Sequence, residues 1–339
     1  MKIIQKALII MALFCLVVSF SFAAGGGQAA PGGKITMKVG DTWSPTHPIA
    51  KGVEQVFKKQ IEAKTNGAIT VDVYHSGTLG NEQTLWDSNR NGSIECIVVG
   101  SVMNSEYKQM LISDWPFLYR DLTHAKKVWT GSFADDFLKQ FNARFPEVKM
   151  LSVGPNSART FTSNKPLRSV ADFKGQKFRM PANPIHVGIV TDLGANAQVI
   201  PLNELFNSLQ TGVVDGQDNG MVTVLSEKLN EVQKYLFETN HIVATMEIII
   251  NTNFFNKLSA DQQKIVSDAA KEAAVWAWDD YIKSVDVDRK KLTDGGMIVT
   301  PCSAEEQAKI IAAIQPTLNK LYSENAWAKD LTDKVKNVK

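Results

Sequence analysis

The stretch ADQQKIVSDAAKEAAVWAWDDYIKSVDVDRKKLTDGG follows Ser259. Ser259-x-x-Gln262 has the form of a helix capping box, in which the serine and the residue three positions on satisfy each other's backbone N–H groups. The residues beyond the box predict one helix of about 30 residues, on the order of 45 Å long at 1.5 Å per residue. Few single α/β units need a helix that long. With 339 residues, the chain has the length for two domains of ordinary size.

The segments upstream alternate. ITMKVGD reads as a strand, and the next run puts Ile49, Val53, Val56, Phe57 and Ile61 on one helical face before stopping at Asn66-Gly67. AITVDVY is a second strand, LGNEQTLWDSNRNG a helix ending at Gly92, and SIECIVVG a third, nearly all-apolar strand. The pattern then restarts with strands at VKMLSVG and QKFRMP, a helix from Pro184 to Leu193, and a helix that spaces Leu202, Leu205, Phe206 and Leu209 before Gly212. Strands alternating with helices predict a parallel α/β sheet. LQTGVVDGQDNG reads as a helix end, a very short strand at Val213-Val214, and a tight turn from Gly216 to Gly220. HIVATMEIIINT is a long strand that returns the chain to the first α/β unit, and Ser303-x-x-Glu306 starts a last amphipathic helix through Leu321.

The amino terminus has the form of an export signal: basic Lys2 and Lys6, an apolar run from Ala7 to Phe20, and Ser21-Phe22-Ala23 as a small-x-small cleavage site near Ala23/Ala24. The apolar run is short for a membrane span, and Cys15 lacks the small preceding residue of a lipid-attachment box. A flexible Gly/Ala/Pro linker occupies residues 25–34. Loss of Lys2 and Lys6 with the leader brings the basic count from 37 to 35, against 35 acidic residues. With no basic stripe, nucleic acid is not an expected partner. Cys96 and Cys302 read as two buried free thiols rather than a disulfide.

Catalytic signatures are absent. There is no G-x-S-x-G elbow, no phosphate-binding loop and no H-E-x-x-H. The five histidines, His47, His75, His124, His186 and His241, show no metal-ligand spacing and read as structural residues. No metal, cofactor or enzymatic activity is expected.

RSVADFKGQKFRMPANPIHVGIVTDLGANAQVIPLNELFNSLQTGVVDGQDNG resembles the core signature of the DctP-type solute-binding receptors of TRAP (tripartite ATP-independent periplasmic) transporters. The match runs through Asp172, Gly175, Lys177, Arg179, Leu193-Gly194-Ala195, Glu204, Leu209-Gln210 and Gly212 to Asn219. Thr65-x-Gly67, Ser76-Gly77-x-Leu79-Gly80, Pro116-Phe117 and Thr239-x-His241 fit the same family pattern, which spans nearly all of residues 35–300. The resemblance implies a periplasmic-binding-protein-like clamshell: two α/β lobes, a ligand cleft between them and a long helix bridging both. Lobe I is expected at 35–156 plus 245–284 and lobe II at 157–244 plus 285–339.

The resemblance also implies a site. The family's most constant ligand contact is the arginine of the strand here written KFRM, Arg179, which would fork to a carboxylate. Arg159 in SARTFT corresponds to a second arginine, and Asn219 to the asparagine on the cleft wall. Period-two alternation agrees, sending Lys177 and Arg179 to the face opposite Phe178 and Met180. A planar guanidinium matches a carboxylate with two parallel bonds. From the residues alone, however, Arg179 reads as an ordinary solvated strand arginine. Leu202 stands where sialic-acid-binding members have an aromatic residue beside the ligand, and Gly220 replaces the usual proline, which would loosen that wall. In lobe I, Trp43 or Ser44 either touches ligand or packs on its own lobe, and Gly100–Asn104 is a similar candidate.

The implied function is an exported solute receptor that captures a small organic acid anion and delivers it to TRAP membrane subunits. The alternatives are a ligand-binding accessory of a membrane sensor kinase and an exported α/β enzyme. Dicarboxylates, 2-oxo acids, uronates, lactate-like acids and aromatic acids all fit the family arginine.

Overall fold

The computed structural model describes residues 34–339, so the leader and all but the last residue of the linker lie outside the described residues. Nine strands form one sheet: β1 (Ile35–Asp41), β2 (Ile69–Tyr74), β3 (Cys96–Val99), β4 (Val148–Ser163), β5 (Lys177–Met180), β6 (Asn196–Val199), β7 (Gly216–Asn219), β8 (Tyr235–Asn251) and β9 (Ile298–Pro301). Their order is β2-β1-β3-β8-β4-β7-β5-β6, with β9 on β8. Within each half the neighbours run parallel, β1 with β2 and β3, and β5 with β6 and β7. The halves are joined by an antiparallel pair, β4 with β8. The sheet is therefore mixed, not purely parallel. Local patterning could not reveal this, because the joining strands are 16 and 17 residues long and belong to both halves.

Three register shifts interrupt the β4–β8 ladder, between Met150 and Ser152, Pro155 and Ser157, and Arg159 and Phe161. Bulges bend a strand and absorb a residue that cannot pair, and Pro155, which has no N–H to donate, sits at one of them. On one side of the bends lies a core of Met37, Val39, Phe57, Val71, Val98 and Ile248. On the other, Leu205, Leu209, Val214, Val224 and Leu236 pack together. A third and larger cluster joins the halves, taking in Ile97 and Val99 of β3 and Phe178 and Met180 of β5.

The long helix is Ala260–Asp294, 35 residues, with the Ser259/Gln262 capping box formed. It packs against β4, against the helical turns of 48–64, and against the helix Met221–Ser226. Ala269, Ala273 and Ala277 recur at every fourth position and are fully buried. Their small size lets the chain at Gly52 approach so closely that a Cβ there would lie 2.8 Å from the Ala273 carbonyl oxygen.

Other expectations need correction. GQDN is not a turn but the buried strand β7, hydrogen-bonded to Thr160–Ser163 on one side and Phe178–Arg179 on the other. Its glycines answer a demand for space. A Cβ on Gly216 would collide with the Thr162 carbonyl and lie 2.7 Å from the Phe178 ring, and one on Gly220 would collide with Ser157. The last helix is three: Ala304–Ala313, Gln315–Glu324 and Ala328–Asn337. Pro316 lies in the first turn of the second, where backbone N–H groups have no intrahelical partner to lose. Among the described residues both cysteines, Cys96 and Cys302, are free, but only Cys96 is buried. Cys302 follows β9, which pairs only with β8, and is half-exposed.

Candidate functional site

Strands β4, β5 and β7 lie side by side, and the chain leaving them meets the loops after β1 and β3. Between these segments is a cavity of about 50 Å³ lined by Trp43, Glu82, Ser101, Asp114, Asn156, Arg159, Arg179, Asn183, His186, Leu202 and Asn219, among others. At roughly 10–15 Å³ per water, it is a small space, and most of its polar wall is buried.

Arg179 is 3 % exposed. Its Nε donates to the Ile200 carbonyl at 2.6 Å, and no carboxylate lies within ion-pair distance of it among the described residues. Burial, reinforced by the neighbouring Arg159, pushes its pKa down to about 10, so it keeps its charge at neutral pH. Lysine would not hold this position: a single ammonium cannot donate sideways to a carbonyl and keep a planar pair of donors free.

Arg159 is equally buried but committed. Its Nε lies 3.0 Å from Asp218 Oδ2 and its Nη2 2.8 Å from Oδ1, and Nη2 also donates to the Asp218 carbonyl. Asp218 further accepts from His186 Nδ1 at 2.8 Å. The opposite nitrogen, Nε2 of His186, is 3.3 Å from Asp114 Oδ1. Asp114 in turn accepts from Asn183 Nδ2 at 2.9 Å and from the Ser101 hydroxyl. Burial opposes ionisation of Asp218, but Arg159 and His186 outweigh it and hold the carboxyl well below its usual range. His186 is raised because Asp218 outweighs its burial. The result is a continuous chain, Arg159–Asp218–His186–Asp114, of which Arg159, His186 and Asp114 line the cavity. His186 therefore stands in the cavity wall, a placement its sequence spacing does not signal.

Asn219 is buried at the end of β7. Its Nδ2 donates to Gln217 Oε1 at 2.6 Å, and its carbonyl accepts from the Thr160 hydroxyl at 2.8 Å. Gly220 does not loosen this wall. It packs against Ser157 and donates its N–H to Ser157 Oγ at 3.1 Å, a bond proline could not make.

Trp43 is buried. It packs in its own half, 4.7 Å from the His47 ring, and also lines the cavity. Its indole N–H is buried with no partner among the described residues. Ser44 lies outside the cavity lining; its N–H donates instead to Glu227 Oε1 at 2.8 Å, tying the β1 loop to the helix Met221–Ser226. Leu202 lines the cavity and packs on the cores of both halves. Glu82, which nothing in its sequence context marks, accepts from the Gly100 N–H at 2.7 Å, and burial raises its carboxyl above the usual range.

A two-lobed α/β body with a charged cavity between its halves is the form of a solute receptor. The chain belongs to the family described as "Bacterial extracellular solute-binding protein, family 7", whose model matches residues 39–325. Its structure is similar to a TRAP periplasmic solute-binding protein from Haemophilus influenzae with bound L-gulonate, with a TM-score of 0.86 and 30 % identity over 90 % of this chain and 100 % of that one. A Sulfurospirillum deleyianum TRAP protein with bound succinate gives a TM-score of 0.84 at 26 % identity, covering 90 % and 99 %. The 2,3-diketo-L-gulonate-binding periplasmic protein of Escherichia coli (strain K12) is 30 % identical over 70 % of this chain and 72 % of its own. The family is one of receptors rather than enzymes. No helix among the described residues is long and apolar enough to cross a membrane.

Proposed function

We propose that the cavity captures a small organic acid anion through a fork between Arg179 and the acid's carboxylate, and that the protein, exported to the periplasm, delivers that acid to TRAP membrane subunits. One observation carries the reading: Arg179 is a buried guanidinium whose sole described partner is a neutral carbonyl. A charge so placed is costly unless something pairs with it. Trp43, with its unpartnered indole N–H, and Asn219 are suited to bind the ligand's other oxygens, and Leu202 gives an apolar flank. Arg159 serves differently from the family expectation, holding Asp218 and the wall rather than offering a free fork. Lobe I at 35–156 plus 245–284 and lobe II at 157–244 plus 285–339 are the bodies that close on the acid. The bound gulonate and succinate of the two structural relatives support a carboxylate ligand.

Mass spectrometry of small molecules released from the purified protein tests this. A copurified carboxylic acid is expected, and adding it back should raise the melting temperature. Saturation at 100 times Kd is worth about 2.7 kcal/mol. Release of a ligand without a carboxylate would contradict the proposal.

A further inference from the structure

We infer that the chain Arg159–Asp218–His186–Asp114 limits the cavity to a singly charged acid and rejects dicarboxylates. This rests on Arg179 being the carboxylate fork, and it narrows the ligand class within that reading.

The ground is a count of charges fixed by geometry. Three basic groups stand at or directly behind the wall: Arg179, Arg159 and His186. Asp218 takes both donors of the Arg159 fork and the Nδ1 of His186, a set of partners that only an ionised carboxylate accepts together. Asp114 faces the other imidazole nitrogen, the Asn183 amide and the Ser101 hydroxyl. Burial opposes its ionisation, but His186 outweighs it and holds the carboxyl low. Two negative charges against at most three positive ones leave at most one in surplus.

The other titratable groups nearby cannot raise that limit. Glu82, if ionised, lowers it. His241, 3.6 Å from Asp218, is kept below the ordinary imidazole range by burial, and so adds no charge at neutral pH. Glu247 is buried behind Thr245, and burial holds it well above the usual carboxyl range. The cavity therefore has positive charge for at most one ligand carboxylate. A second would be taken out of water with no cation to meet it, and an unpaired buried charge is strongly unfavourable.

The test compares acids of one skeleton that differ by a single charge, titrated by calorimetry at neutral pH: succinamate against succinate, L-gulonate against D-glucarate, and D-galactonate against galactarate. In every pair that binds, the singly charged member should bind tighter by about tenfold or more. In Asp114→Asn, which keeps the shape but removes one negative charge, that gap should shrink by about tenfold. Equal or tighter binding of the doubly charged members by the native protein would overturn the inference while leaving the carboxylate reading intact. Binding of no member of any pair, with no carboxylic acid copurified, would overturn both. A gap unchanged in Asp114→Asn would remove Asp114 from the account. Should that variant fail to fold, the native comparison decides alone.

Discussion

Arg159 and Asp218 form a buried bidentate pair across β4 and β7, with Nε–Oδ2 at 3.0 Å and Nη2–Oδ1 at 2.8 Å. Twenty residues along the chain Arg179, equally buried, has no such partner. The two arginines look alike in sequence and differ in role, one completing the protein and the other open to a ligand.

Removal of the committed arginine should therefore be felt in folding. Arg159→Ala leaves Asp218 buried with only His186 to meet its charge. Breaking such a pair typically costs about 3–5 kcal/mol. Urea denaturation of the ligand-free protein checks this, and Arg179→Ala in the same assay is expected to lose far less.

Gly216 and Gly220 give a second prediction. Gly216→Ala forces a methyl group into the Thr162 carbonyl and the Phe178 ring, both held by β-ladders. Overpacking of this kind costs about 1–3 kcal/mol. Gly220→Pro should be worse, because it also removes the N–H bonded to Ser157. A thermal melt of each variant reads the loss, and a native melting temperature in Gly216→Ala would contradict the close approach.

Those glycines also show where local reading stops. Glycine next to Asp and Asn suggests a turn when only the chain is visible. The space that excludes a Cβ at Gly216 comes from Thr162 and Phe178, which are distant in sequence. Strand and helix alternation, the Ser259 capping box and the long helix were legible, since each is written within a few turns of chain. The length of β4 was not, because Gly154-Pro155-Asn156 reads as a break and only the bulge opposite β8 accommodates it. Arg179 and Asn219 stood out only through the family resemblance. Asp114 and His186 carry no local signal, because their role depends on contacts with Asp218 and Asn183 that tertiary structure creates.

Glu247 predicts a pH dependence. It is fully buried, its Oε2 has no partner among the described residues, and burial raises its carboxyl well above 4.5. An acid with a raised folded pKa binds its proton more tightly in the native state, so its contribution is most favourable below the unfolded value and declines as pH rises toward the folded one. Glu247→Gln, which mimics the protonated form, should lose less stability than the native protein between acid and neutral pH. Parallel pH-dependent slopes for the two proteins would contradict this.

The most direct measurement of the central claim is calorimetric titration of Arg179→Ala and Arg179→Lys, at two ionic strengths, with the acid that copurifies with the native protein. Truncating one partner of a buried ion pair typically costs about 2–5 kcal/mol, roughly 30- to several thousand-fold in affinity. Arg179→Lys should recover only part of that loss, since it restores the charge without the two-point geometry. A surface arginine would change affinity by less than about threefold, and only at low salt. A loss of at least about 30-fold in Arg179→Ala at both ionic strengths is the result expected here, and near-native affinity would contradict the assignment of Arg179 as the carboxylate fork.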